Sequence, residues 1–185
     1  MAIGLKRGTV ELFPYDEAWK LYFEKEKKLL LKTFGDRIVS IEHIGSTSIP
    51  GALAKPIIDI NVAIRSLEDA PSFIKQLQEL GYEYMPERWF NDRYFFPKGS
   101  TEQSTHHLNL VEKSSDTAWV YPLLFRNYLI ENPQEIAEYS ILKRNLALKY
   151  KNDRAAYTEA KGDFVRSILE KARSEDGNKL KEAAR

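Results

Sequence analysis

The chain contains no cysteine. That excludes disulfide staples, thiolate zinc sites and a cysteine nucleophile together, and it accords with a reducing compartment. No stretch approaches the roughly 20 consecutive apolar residues of a membrane-spanning helix. Met1 to Val10 holds no apolar run of signal-peptide length. The expectation is a cytoplasmic protein without a membrane partner. An excess of charge of one sign is also missing: 28 Lys and Arg stand against 27 Asp and Glu, a net charge of +1. Nucleic acid is therefore not an expected partner, and neither is an anionic lipid surface. Local basic clusters can still hold a phosphate. Also absent are a Gly-x4-Gly-Lys-Ser/Thr phosphate loop and a dinucleotide-binding glycine fingerprint.

What is present is 185 residues of ordinary composition, 43% hydrophobic and 12% aromatic. This length suits one domain with one sizeable core. Asp16 is placed to cap a helix whose apolar residues Trp19, Tyr22, Phe23, Leu30 and Phe34 recur at helical spacing, with Gly35 as its stop. Arg37 to Ile44 and Pro56 to Ile64 are rich in β-branched residues and read as strands. Between them, Gly45 to Pro56 is a loop. A second helix is expected from Asp69 to Gly81. Further strands are expected at Tyr82 to Met85, Arg93 to Phe96 and Thr105 to Glu112. Short connections make some of the pairings antiparallel.

After Ser114 the pattern turns wholly helical, with helices expected at 116–131, 133–150 and 154–173. Asn132-Pro133 and Asp153 supply starts. Strands followed by helices indicate an α+β fold: a mixed sheet with helices on one side and a C-terminal helical segment. Residues 1–113 would form the sheet-bearing core, 114–174 the helical segment packed on it, and 175–185 a flexible polar tail.

The chemistry concentrates in one stretch, from His43 through Gly45-Ser46-Thr47-Ser48 and Lys55 to Asp59 and Asn61. Gly45 lets the backbone approach a ligand closely. Ser46, Thr47 and Ser48 add hydroxyls beside that backbone, a composition that can cradle a phosphate, and Lys55 adds a positive charge. Asp59 and Asn61 share one face of the next strand, with Ile58, Ile60 and Val62 on the other. An aspartate among isoleucines must be paired or bind a cation. A carboxylate beside a phosphate loop suits Mg²⁺, which is commonly held by one or two carboxylates plus substrate phosphates. The plainer alternative is a simple Gly-Ser turn with Asp59 bonded to a neighbouring amide.

On the last strand, alternation places His107 and Asn109 on the side of Asp59 and sends His106 and Glu112 to the other. His107 would act as a ligand, base or acid, or as a structural histidine. Arg126 lies among apolar residues and calls for a specific partner. Lys143, Tyr157 and Lys161 stand on expected helices, the last two four apart on one face. Each lysine is otherwise an ordinary surface cation. Arg88 and Arg93 flank Trp89-Phe90, where arginine beside aromatics could stack a base or simply belong to an aromatic hairpin.

This pattern resembles the nucleotidyltransferase superfamily, in which a Gly-Ser loop holds a triphosphate and the following strand carries metal-binding acids. More closely, residues 10–172 resemble the GrpB family, a branch of that superfamily. The resemblance rests on Pro14-Tyr15-Asp16 with Trp19, on His43-Ile44-Gly45-Ser46-Thr47-Ser48-Ile49-Pro50-Gly51, and on Lys55-Pro56-Ile57-Ile58-Asp59. It continues through His106-His107-Leu108, Phe125-Arg126-Asn127-Tyr128-Leu129, Tyr139 with Leu142-Lys143, and Tyr157 with Lys161. It implies a nucleoside triphosphate or another phosphorylated small molecule as partner, Mg²⁺ as cofactor, and Asp59 with Asn61 as metal ligands.

Under that reading Asp59, Asn61 and His107 carry the chemistry. Gly45, Ser46, Thr47, Ser48, Lys55, Asn109, Arg126, Lys143, Tyr157 and Lys161 hold the ligand. The chain departs from the pattern where Asn61, Asn109 and Asn127 replace expected acids or a histidine. Two readings therefore stand side by side: Mg²⁺-dependent nucleotidyl transfer, and binding of a nucleotide or phosphorylated ligand without catalysis. A structural domain with a relict site is a third.

Overall fold

The computed structural model describes residues 3–85 and 90–183, with side chains as far as residue 175. Arg88 and Trp89 therefore lie outside the described residues. Five strands form one mixed sheet: β1 (Leu5–Lys6), β2 (Ser40–Ile44), β3 (Ile58–Ile64), β4 (Arg93–Gly99) and β5 (Gln103–Glu112). β2 runs antiparallel to β3, β3 parallel to β5, and β4 antiparallel to β5 along its other edge. The two-residue β1 pairs with the start of β5. The expected strand at Tyr82 to Met85 is reduced to a single bridge between Tyr82 and Lys98. The Tyr82 N–H is already used to close the preceding helix on the Leu77 carbonyl.

The period-two alternation of β3 and β5 decides the layering. Ile58, Ile60, Val62 and Ile64 join Leu108 and Leu110 in the main core. Helix α1 (Ala18–Phe34) packs on this face through Trp19, Phe23, Leu30 and Phe34, and α2 (Ile74–Glu79) through Leu77. Asp16 Oδ1 accepts from the Ala18 amide at 2.8 Å and so caps α1 from two residues upstream.

The C-terminal helices α3 (Tyr121–Glu131), α4 (Pro133–Lys149), α5 (Arg154–Glu159) and α6 (Gly162–Ala183) follow. A turn of π-helix, Asp116–Val120, precedes α3 and packs Ala118 and Trp119 on Ala63 and Val111, at the far end of the second sheet face. A separate cluster joins α3, α4 and α6 to the loop after β2 through Ile49, Leu129, Tyr139 and Ile168. The expected single helix over 154–173 is split at Ala160-Lys161, just before Gly162, a residue poorly suited to a helix interior. The helix after the break runs on to Ala183, through the stretch where polar composition suggests a flexible tail.

Candidate functional site

Because α1 and α2 cover one face and the 116–120 turn covers only the far end of the other, the near end of that second face remains open. There Asp59 on β3 and His107 on β5 lie directly opposite in register. A cavity of about 310 Å³ opens above them. Its wall is completed by the loop after β2 (Gly45, Ser46, Thr47, Lys55), by Lys143 on α4, and by Arg154, Tyr157 and Lys161 around α5.

The loop is built around Gly45. Its backbone sits at φ +70° and ψ −175°, a region open essentially only to glycine. A Cβ at this position would collide with Asp59 Oδ2. The following turn is closed by the Ser48 hydroxyl donating to the Gly45 carbonyl at 2.6 Å. That contact turns Ser48 away from the cavity, onto a groove between α1 and α3. Thr47 is buried, shares a hydrogen bond with His43 Nε2 at 3.0 Å, and donates to the Ile57 carbonyl at 3.3 Å. His43 itself stacks on Phe23 with ring centroids 4.7 Å apart. Burial holds its pKa down at about 4, so the ring is neutral near pH 7 and serves to fix the loop.

Asp59 lines the cavity with 35% of its side chain accessible. Its Oδ1 accepts from His107 Nδ1 at 3.1 Å. Protein atoms surround it, and that burial pushes its pKa up. The His107 hydrogen bond, with Lys55 and His43 nearby, outweighs this and leaves the pKa below the usual value. The carboxylate is therefore ionised near neutral pH.

Facing it are cations in an enclosed space. Lys143 is 1% exposed and donates to Ser46 Oγ at 3.1 Å and to the Leu53 carbonyl. Its ammonium lies 3.9 Å from the centroid of the Tyr139 ring. Desolvation, with Lys161 and Lys55 adding repulsion, brings its pKa down to about 6. Desolvation likewise brings Lys55 to about 7, helped by Lys161 and Arg154. Lys55 and Lys161 both approach the Tyr157 ring, at 5.6 and 4.7 Å. Neither amine has a hydrogen-bond acceptor or an ion-pair partner among the described residues. Arg154 is anchored to the carbonyls of Lys6 and Thr9.

Four residues expected at the site are placed elsewhere. Asn61 is 0% exposed; it donates to the Ala118 carbonyl at 2.6 Å and accepts from Asn109 Nδ2 at 3.0 Å. The 116–120 turn seals this amide pair away from the cavity. Asn61 and Asn109 share a face with Asp59, as alternation requires, but reach no ligand. Arg126 is held by Glu42 Oε2 at 2.8 Å and by the His43 carbonyl at 2.7 Å. It lines the α1–α3 groove, as does Ser48. Conversely, Arg154, Thr158, Phe90, Phe95, Phe125 and Tyr139 line the cavity. Of these, Phe125 and Tyr139 carried a sequence signal through the family-like segments that contain them, and Phe90 through the arginines that flank Trp89-Phe90. Arg154 showed only its position at a helix start.

The donor set bears directly on Mg²⁺. Among the described residues no three histidine, aspartate or glutamate side chains cluster to hold a metal ion. With Asn61 sealed and Glu42 bound to Arg126, Asp59 is the one carboxylate among the described residues that lines this cavity. That set does not fit a two-metal centre, which needs several carboxylates between ions about 3.5–4 Å apart. It does fit a single Mg²⁺ whose remaining ligands come from a bound phosphate.

Comparison with known proteins places this site in context. The profile described as "GrpB protein" matches residues 9–171. The chain is 40% identical over 171 residues to "Glutamate-rich protein GrpB" of Alkalihalophilus pseudofirmus, covering 90% of this chain and 98% of that protein. It is 37% identical over 167 residues to "UPF0157 protein YqkA" of Bacillus subtilis, covering 90% of this chain but 48% of the relative. A weaker similarity, 24% over 192 residues, links 91% of the chain to 47% of a "Dephospho-CoA kinase" of Mycolicibacterium paratuberculosis. The chain thus spans about half the length of these last two relatives. Among solved structures, the crystal structure of conserved protein GrpB from Enterococcus faecalis superposes with a TM-score of 0.81 at 33% identity. That match covers 89% of this chain and 98% of that one.

Proposed function

This chain belongs to the GrpB family, and from that premise we propose that it binds a phosphorylated small molecule, a nucleoside triphosphate in the first instance, in the cavity above Asp59. One observation carries the reading. Three lysines converge on one enclosed space, and two of them have no acceptor among the described residues. Such amines repel one another and are poorly solvated, so an anion between them relieves both costs. Gly45 and Ser46, which line the same cavity, would supply neutral donors to that anion. Asp59 would hold Mg²⁺ carried in on the phosphates, which neutralises the carboxylate's repulsion toward them. The aromatic side chains of Phe90, Phe95 and Phe125 give the cavity an apolar wall for the rest of the ligand.

A second reading, nucleotidyl transfer, is favoured by the Asp59–His107 pair. A histidine whose Nδ1–H is donated to a carboxylate keeps its lone pair on Nε2 in the neutral ring, the arrangement of a general base.

Titrating the protein with ATP, GTP, CTP, UTP and tripolyphosphate, with and without Mg²⁺, tests the reading. Lys55→Ala should weaken tripolyphosphate at least tenfold, about 1.4 kcal/mol. Asp59→Asn should strengthen binding without Mg²⁺ and abolish the gain that Mg²⁺ brings. No affinity for any of these ligands in either condition would sink the proposal. Release of pyrophosphate from a bound triphosphate would then separate transferase from binder.

A further inference from the structure

The lysines of the cavity are not alike. Lys55 and Lys161 have no acceptor among the described residues, whereas Lys143 is 1% exposed and bonded within the fold. Two residues of α4 grip Leu53: Ser140 Oγ accepts from its N–H at 3.2 Å, and Lys143 Nζ donates to its carbonyl. The Tyr139 ring, with its centroid 3.9 Å away, flanks the same amine. So held, Lys143 Nζ stands 3.1 Å from Ser46 Oγ. Gly45 turns the chain directly after β2, and Ser46 and Lys143 both line the cavity. A serine hydroxyl at hydrogen-bond distance from a buried amine, itself oriented by a third group, is the arrangement of a nucleophile and its base. The protonation state fits. Desolvation, with repulsion from Lys161 and Lys55, brings Lys143 down to about 6, so near pH 7 its lone pair accepts from the Ser46 O–H. The other titratable or charged groups that share the cavity are Arg154, Asp59, His107 and the neighbouring Tyr139 and Tyr157.

We propose that Ser46 is a nucleophile and Lys143 its general base, for hydrolysis of a carboxylic ester with a small acyl group. Lys143 Nζ takes the Ser46 proton as Oγ bonds to the acyl carbon. The oxyanion forms in a cavity where Lys55 and Lys161 supply positive charge. The Lys143 ammonium returns its proton to the alkoxide as the ester carbon–oxygen bond breaks, which leaves acylated Ser46 and a free alcohol. Water then gives a proton to Lys143 and attacks the acyl carbon; the carboxylic acid leaves, and Ser46 regains its proton. The substrate class follows from charge. A phosphoryl centre would bring anionic oxygens to Lys143 and keep it protonated, whereas an ester carbonyl arrives neutral. Phe125 and Tyr139, in edge contact at 5.4 Å, also line the cavity and give the acyl group an apolar surface. The inference does not rest on the proposed phosphorylated ligand, and the probes that test it are uncharged.

The test is rapid-mixing hydrolysis of p-nitrophenyl acetate near pH 7 with mass mapping of the acylated peptide, and labelling with diisopropyl fluorophosphate. A burst of p-nitrophenol equal to the protein concentration is expected, with the acetyl group and the diisopropylphosphoryl group both on Ser46. Ser46→Ala, which removes one partly buried hydroxyl, should abolish the burst, and Ser46→Cys, which keeps a nucleophile, should restore acylation at that position. Lys143→Arg keeps the charge but offers no lone pair near neutral pH, and should slow acylation about a hundredfold or more. In the wild type the acylation rate should rise with pH through about 6, and this rise should vanish in Lys143→Arg. If Lys143→Arg fails to fold, the two Ser46 variants still decide. Acetyl groups on lysines alone overturn the proposal, as does an undiminished burst in Ser46→Ala, or no adduct at Ser46 with either probe. Failure of tripolyphosphate to bind would sink the phosphate reading and leave these outcomes as they stand.

Discussion

The carboxylate oxygen Oδ2 of Asp59 occupies the space that a β-carbon on Gly45 would need. The loop and the strand are thus fitted to each other at a single atom, and the candidate anion-binding backbone and the candidate metal ligand cannot be moved independently.

Replacing Gly45 by alanine should expose this fit. Alanine is strained at φ +70° and its methyl displaces Asp59. A loss of about 1–3 kcal/mol is expected from the backbone conformation alone. The denaturant midpoint should fall and tripolyphosphate affinity should fall with it. A variant of wild-type stability and affinity would show that the loop relaxes freely.

Restoring an acid at position 61 should not restore a metal centre. Asn61→Asp removes the donor that serves the Ala118 carbonyl and places a charge in a sealed site. Destabilisation of about 3 kcal/mol is expected, with no gain in Mg²⁺ affinity. A stable variant with tighter Mg²⁺ binding would contradict the placement of this side chain.

Ligand affinity should depend on pH through the lysines. In the free protein Lys55 titrates at about 7 and Lys143 at about 6. A bound anion raises both values, so the complex holds more protons than the free protein above pH 6. Affinity should therefore fall as pH rises from 6 toward 8, with proton uptake on binding. Calorimetry in buffers of different ionisation enthalpy reads that uptake directly. Proton release, or none in the wild type, would count against the lysines as anion contacts.

Acid should destabilise the fold through two buried histidines. Burial lowers both His43 and His106 to about 4, so the unfolded chain, with histidines near 6.5, binds more protons between those values. Their contribution is complete above pH 6.5 and is lost as pH falls toward 4, on the order of 3 kcal/mol each. Unfolding midpoints between pH 7 and 4 should show this fall, and His106→Gln should reduce its slope. An unchanged slope would place the acid sensitivity elsewhere.

Much of the architecture is readable from local pattern. Period-two alternation puts Asp59, Asn61, His107 and Asn109 on one sheet face, because side-chain direction along a strand depends on parity alone. Helical spacing from Trp19 to Phe34 and the glycine after it define α1 for the same local reason. The sequence therefore determined the sheet's polar face, the helical character after Ser114 and the Gly45–Asp59 pairing of loop and strand.

It did not determine which members of that polar face meet a ligand. Asn61 is removed from the cavity by the Ala118 carbonyl, 57 residues further along the chain. Arg126 is removed by Glu42, 84 residues away. Arg154 enters because its α5 position is tied back to β1 across 148 residues. Alternation is a property of one strand, whereas access depends on where distant segments come to rest against it. Only the packing of the 116–120 turn and of α3 to α5 over the second sheet face decided that, among the described residues, three lysines and one carboxylate line the cavity while Asn61 and Asn109 are sealed from it.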